Sequence, residues 1–277
     1  AKCMNIPILP QELVNVCFDQ LAGTIRPAWE QGVQMGSVLN CPKEESNFNI
    51  YERGTIAIHC HVYYPELLCE LASAWRVVKN RFIFITTNTQ LKADIIKELL
   101  ARCEEESYTI KIVPNRGRDI APLISLLKHE LSGYEIVIHC HTKKTPQENG
   151  IFGSSWRHSL LKATFPVESI AKQFEGLLLE QNAGFIMPWP HYAIAHNVNW
   201  GDNFKRINCL LNLLGYDIYR HTFLYFPAGS FFWARVDSLV ELLRLNLRTE
   251  DFCNEPTPGD GSMAHAIERC VGLIPML

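Results

Sequence analysis

The chain has 277 residues, 47% of them hydrophobic and 20% charged, with 26 basic against 29 acidic side chains and a net charge of −3. That length and apolar content suffice for one large α/β domain, or one domain with a helical appendage. The charge balance gives no support for a nucleic-acid-coating surface, so each basic cluster has to be read locally.

No apolar run reaches the ~18 residues of a membrane span, and no signal peptide is expected ahead of the first domain. The ten cysteines form no Cys-x-x-Cys pair. Cys60, Cys69, Cys140 and Cys209 sit in apolar runs, where a reduced thiol acts as a small hydrophobe, and this points to the reducing cytoplasm. The opening Ala1-Lys2-Cys3 reads as a trimmed start, so the chain is expected to be part of a longer protein. Residues 1–50 lack strand character: 9–25 suggest one helix and 36–54 are turn-rich. The expected organisation is an N-terminal helical or irregular arm over 1–50 and a main domain over 51–277.

The first convincing strand is 55–64, followed by a helix from Pro65. A second strand over 81–89 precedes a helix from Gln90. The alternating run Tyr108 to Val113 is a third strand, closed by Pro114. Asn115, Arg116, Gly117, Arg118 and Asp119 form a turn, with Asp119 as N-cap of a helix carrying Leu123, Leu126 and Leu127. Ser132-Gly133 stops that helix before a fourth strand over 135–140, apolar enough to be buried on both faces. Strands alternating with helices, uninterrupted by any internal repeat, predict a doubly wound parallel sheet. After Lys144 the pattern weakens. A loop is expected over 145–158, one or two helices over 159–180, a short strand over 183–190, and a polar aromatic loop over 191–203. A helix from Lys205, a strand pair or strand and turn over 224–235, a helix from Val236, and a Pro/Gly loop running into a final helix complete the reading.

In the common strand order 3-2-1-4, the first and fourth strands are neighbours at the switch point where open α/β sheets bind ligands. His59, His61, His139 and His141 then converge. Four imidazoles can bind a transition metal, donate to phosphate or sugar hydroxyls, or simply be satisfied within the core. Asn115, Arg116, Arg118, Thr142, Lys143 and Lys144 share that edge; the four cations suit a diphosphate, or are solvated loop residues. Asp260 is either an N-cap or a general base. His265 and Arg269 share a helix face, and Gly229-Ser230 before Phe231-Phe232-Trp233 is an aromatic wall beside a turn, or core.

The runs HVYYPEL, VPNRGRDIAPL, HCHTKK, SSWR, AGS with FFWAR, and DGSMAHAIER, in this order over about residues 55 to 275, resemble the rhamnan synthesis protein F family, bacterial proteins of rhamnose-containing polysaccharide assembly. The resemblance implies a glycosyltransferase with a GT-A-like, Rossmann-type sheet and flanking helices, using dTDP-L-rhamnose and a growing lipid-linked glycan. It would work in the cytoplasm, peripherally at the inner face of the plasma membrane, beside other glycosyltransferase domains of a longer chain. Where such folds carry an Asp-x-Asp metal motif, this sequence reads His139-Cys140-His141-Thr142-Lys143, so a metal-independent enzyme without cofactor is expected. Cationic side chains would instead stabilise the leaving diphosphate.

The expected halves are 51–145 for the nucleotide and 146–277 for the acceptor. The nucleotide and diphosphate would meet His59, His61, Asn115, Arg116, Gly117, Arg118, Asp119, His139, His141, Thr142, Lys143 and Lys144. The acceptor would lie against Trp156, Arg157, Trp189, Trp200, Gly229, Ser230, Trp233, His265 and Arg269. Asp260, or alternatively Glu255, would be the base of an inverting transfer. Two other readings are a non-catalytic glycan-binding module and a His-ligated metal hydrolase.

Overall fold

A computed structural model describes residues 33–35, 56–144, 151–179, 183–192, 194–222 and 224–274. Among these residues one mixed sheet has seven strands: β1 (Val33–Met35), β2 (Ile56–His61), β3 (Arg81–Thr87), β4 (Tyr108–Ile112), β5 (Ile136–His141), β6 (Phe185–Pro188) and β7 (Phe232–Arg235). Their order is β1-β6-β7-β5-β2-β3-β4. The α/β class expected from the sequence is therefore found. β4, β3, β2 and β5 are parallel neighbours, which is the 3-2-1-4 order counted from the strand at Ile56. β7 runs antiparallel to both β5 and β6, so the second half of the chain extends the same sheet.

The helices are α1 (Leu68–Trp75), α2 (Gln90–Arg102), α3 (Ile120–Leu127), α4 (Ile151–Thr164), α5 (Glu168–Leu179), α6 (Phe204–Leu213), α7 (Val240–Arg244) and α8 (Met263–Leu273). α2 starts where the Thr89 side chain accepts from the Lys92 N–H, the ordinary N-cap bond. α3 is buried at every position but Ser125, as a helix apolar all round must be.

Alternation along β2 and β5 divides two cores. Ile56, Ile58, Cys60, Ile136, Ile138 and Cys140 pack on one face with Trp75, Phe174 and Trp233. Each fully buried aliphatic side chain there stabilises the fold by roughly 1.5–3 kcal/mol. Ala57 and Val137 point the other way, towards α3, α6 and α8. Farther along the same face stand His59, His61, His139 and His141. β2 and β5 repeat one pattern, Ile-x-Ile-His-Cys-His, and pair it in register: His59 opposite His139, Cys60 opposite Cys140, His61 opposite His141. This short repeat was hidden because the two copies lie 80 residues apart.

Several local expectations are corrected. The segment 1–50 does contain a strand, since β1 pairs antiparallel with β6; a three-residue strand defined by a distant partner has no local periodicity. The helix expected over 9–25 lies outside the described residues. The loop expected over 145–158 is helical from Ile151, so its Gly and Ser residues were overruled by tertiary context. Only Phe232–Arg235 of 224–235 is strand. Asp119 occupies the N-cap position of α3 without a capping bond, because its carboxylate turns inward. Ser262, not Asp260, caps α8, in a box with His265.

Candidate functional site

The C-terminal edge of β2 and β5 carries a buried polar chain. The Asp119 carboxylate accepts from Nε2 of His139 at 3.1 Å. A neutral His139 then has only a lone pair on Nδ1, so His59 Nδ1–H must donate to it, at 3.0 Å. His59 Nε2 accepts from the Thr86 hydroxyl at 2.9 Å, and that hydroxyl oxygen accepts from His61 Nδ1–H at 2.9 Å. The Nε2 lone pair of His61 ends the chain. His141 stands apart, donating Nε2–H to the Gly229 carbonyl at 3.0 Å.

Burial makes these imidazoles hard to charge. It holds His59 well below the ordinary histidine range and lowers His61 and His141 to about 4. Burial pushes Asp119 up, but the imidazoles of His141, His139 and His61 outweigh it and hold the carboxyl well below its usual range. One buried anion thus stands at the head of a line of buried rings, of which His59 and His61 resist taking up a proton.

The loop after β5 supplies the positive charge. Thr142 Oγ1 accepts from the N–H groups of Tyr63 and Tyr64, both at 2.9 Å, which staples the ends of β2 and β5 together. Arg157 bonds Glu70 through Nε at 3.0 Å and the Lys143 carbonyl through Nη1 at 3.3 Å, fixing the backbone there. The Lys143 ammonium lies 4.1 Å from the Trp156 ring centroid, the cation over a π face. It makes no hydrogen bond among the described residues. Burial lowers its pKa, opposed by Glu268 and Asp119.

Trp156 backs onto the turn at Gly229. A Cβ at 229 would lie 3.0 Å from atoms of Trp156 and Leu160, and its φ of +99° also demands glycine. Glu268, on α8, closes the other side of this turn through Oε1, which accepts from the Gly229 N–H at 2.9 Å and the Ser230 hydroxyl at 3.2 Å. Burial, then the Asp119 charge, raises the Glu268 pKa against the Gly229 bond and Lys143.

The expected residues therefore divide. His59, His61, Asp119, His139, His141, Thr142, Lys143, Trp156, Arg157, Gly229 and Ser230 form one connected group, although His59 and His139 are fully buried. Lys144 leans outward, paired with Glu66 and 4.8 Å from the Tyr64 ring centroid.

A second group ties the 115–118 turn to the 252–258 loop. Gly117, at φ +62°, leaves no room for a Cβ beside Phe252. Glu255 accepts from the Arg118 N–H at 3.1 Å and, through its other oxygen, from Thr257. The Arg118 side chain bonds Thr257 and the Pro258 carbonyl. Asn115 bonds Glu255 through its carbonyl, and Arg116 lines a small separate cavity with Lys111, Ser125 and Thr249.

A third group surrounds Asp260, which accepts from Asn203 Nδ2 at 2.6 Å and the Asp202 N–H at 3.1 Å and lies 3.5 Å from Arg269. Burial would raise this carboxyl, but those partners lower it. Arg269 is buried, bonding the carbonyls of Asn199 and His265. His265 is buried in the Ser262 cap. Trp200 packs on Phe204 and donates to the Arg220 carbonyl. Trp189 is 47% exposed just after β6. Trp233 is 1% exposed in the apolar core and donates to the Thr164 carbonyl at 2.8 Å, so it does not reach the edge.

Reading the sequence missed Thr86, the link between His59 and His61, and Glu268, although Glu268 lies inside the run DGSMAHAIER. A carboxylate on an otherwise buried helix face was the available signal.

Comparison with known proteins gives a family and two relatives. The family model described as rhamnan synthesis protein F matches residues 16–276, so the likeness reaches into the first 50 residues. Two proteins called uncharacterized protein WxcX, from two strains of Xanthomonas campestris pv. campestris, are 30% and 29% identical over 218 residues. Each alignment covers 77% of this chain and 30% of the relative. The chain thus spans about 30% of the length of the curated relatives it matches.

Proposed function

Since the chain belongs to the rhamnan synthesis protein F family, and is a polysaccharide-biosynthesis protein on that ground, we propose that it is a sugar transferase acting at the C-terminal edge of β2 and β5. The donor is a nucleoside-diphosphate sugar, with dTDP-L-rhamnose the member that fits the family description. The acceptor is a growing, lipid-linked glycan reached at the inner membrane face, with further transferase domains in a longer chain. Among the described residues no helix is long and apolar enough to cross a membrane.

The observation that carries the reading is Lys143. Its ammonium is held over Trp156, at the end of the fourth parallel strand counted from Ile56, and forms no ion pair among the described residues. A fixed, partly desolvated cation at a sheet switch point stabilises negative charge that develops on a leaving diphosphate. In this reading no metal is needed, because Lys143 supplies the charge that an Asp-x-Asp-bound cation supplies elsewhere. Parallel β4-β3-β2-β5, continued by antiparallel β7, is compatible with a GT-A-like sheet. The half-exposed Trp189, just after β6, would give an acceptor sugar ring a flat face.

Thermal shift with dTDP, UDP, GDP and CMP, each in EDTA and in Mn²⁺, tests this. A ligand that binds only the folded state raises the melting temperature. Stabilisation by dTDP in EDTA is expected. A shift that needs Mn²⁺ would remove the role given to Lys143, and silence with every nucleotide would favour a glycan-binding module.

A further inference from the structure

We propose that Glu268 is the general base of this transferase, taking the proton of the acceptor hydroxyl, with the Gly229-Ser230 turn as its positioning device. The assignment rests on the transferase reading above and goes beyond it by naming a catalytic carboxylate that the sequence did not suggest.

Three carboxylates compete for the role, and their hydrogen bonds separate them. Glu255 has both oxygens engaged by the loop it holds together, Oε1 by Arg118 and Oε2 by Thr257. Asp260 likewise uses both, Oδ1 on Asn203 and Oδ2 on the Asp202 N–H, with Arg269 beside them. Each is a strut with no oxygen left over for an acceptor hydroxyl, and the partners of Asp260 also lower its carboxyl. Glu268 engages Oε1 alone. Its Oε2 has no hydrogen bond among the described residues and is not sealed in the protein.

The surroundings suit a base. Ser230, at φ +57°, is a non-glycine residue in the left-handed region, and such strain gathers at functional positions. Here it brings the hydroxyl and the preceding N–H onto one carboxylate oxygen. Desolvation raises the affinity of Glu268 for a proton, which moves a carboxylate towards the range where a base works near neutral pH. The cation is close by: Trp156 packs against Gly229 and carries Lys143, yet no ion pair closes between Lys143 and Glu268 among the described residues. The 229 turn therefore stands between a cation for the leaving group and a base for the nucleophile.

In the transfer, the acceptor oxygen forms its bond to the anomeric carbon as the bond from that carbon to the diphosphate oxygen breaks. The pair of electrons from the broken bond stays on the nucleoside diphosphate, beside Lys143. The hydroxyl proton passes to Oε2 of Glu268, which is left as the neutral acid and returns it to water.

The test uses the full chain with dTDP-L-rhamnose and a lipid-linked rhamno-oligosaccharide, following dTDP release and, separately, dTDP binding by calorimetry. Glu268→Gln keeps an oxygen for Gly229 and Ser230, so it should bind dTDP within about threefold of wild type. It should turn over about 10²–10³-fold more slowly, and the acid limb of the wild-type pH profile should vanish. Glu268→Asp should recover part of the rate. Turnover by Glu268→Gln within tenfold of wild type, or a loss in Asp260→Asn with Glu268→Gln active, overturns the assignment while leaving the transferase reading intact. A wild-type chain that neither binds dTDP nor turns over the sugar nucleotide contradicts the transferase reading, and the role of Glu268 with it.

Discussion

The two faces of the β2–β5 pair are built from the same twelve residues and do opposite work. On one face Ile56, Ile58, Cys60, Ile136, Ile138 and Cys140 are at most 1% exposed and belong to one apolar cluster. On the other, His59, His61 and His139 are joined with Thr86 and Asp119 in a chain of hydrogen bonds that ends at His61 Nε2, while His141 bonds the Gly229 carbonyl. The first face is held by area removed from water. The second is held by satisfaction of buried polar groups, each costly if left alone. The strand period of two lets a single sequence pattern carry both, an apolar core on one side and a buried polar network on the other.

The largest expected effect breaks the apolar face. Trp233→Ala should lower unfolding free energy by about 3–5 kcal/mol in urea titrations. A loss below about 1 kcal/mol would mean that Trp233 is not the core residue described.

Acidification should break the polar face next. His61 and His141 fall from 6.5 to about 4 on folding, so the unfolded chain takes up protons first. The stability they contribute is complete above about pH 6.5 and drains away as pH falls towards 4, on the order of 3 kcal/mol for each ring. Asp119, also depressed, adds its loss at still lower pH; Glu268, raised, opposes the trend. A melting temperature that is flat or rising from pH 7 to pH 5 would contradict neutral buried rings.

Asp119→Ala strips the anion that orients the chain and leaves the His139 Nε2–H unsatisfied, at a cost of about 1–3 kcal/mol. It should also flatten the pH dependence just described below pH 4, which a mere packing change would not do. Unfolding curves of the variant at pH 7 and pH 3.5 measure both.

How much of this was legible follows from the range of each signal. The first three α/β elements were readable because periodicity and caps act within a few residues, and the strand order followed from a general rule of open sheets. That rule also placed the four histidines together. Their partners were not readable. Thr86 links His59 to His61 only through the β2–β3 register, and Asp119 looked like a cap because caps are local. Trp233 read as part of a sugar-facing wall because aromatic content does not tell inside from outside on a strand. Glu268 was overlooked because a lone carboxylate on a helix is ordinarily a solvated residue, and only the fold brings the Gly229 turn to it.

The smallest expected effect concerns the two adjacent lysines at the edge. Lys144, paired with Glu66 at the surface, should change stability by less than about 1 kcal/mol when replaced by alanine, and dTDP affinity by no more than about twofold. Equal losses from Lys144→Ala and Lys143→Ala would show that general surface charge, not a placed cation, attracts the ligand.

The central claim is that one seated ammonium at this edge meets the diphosphate. Titration calorimetry of dTDP in EDTA, wild type against Lys143→Met, tests it most directly. The account predicts measurable binding by the wild type and an affinity at least about tenfold weaker in the variant, the 1.4 kcal/mol of one charge-assisted contact. Equal affinities would contradict it.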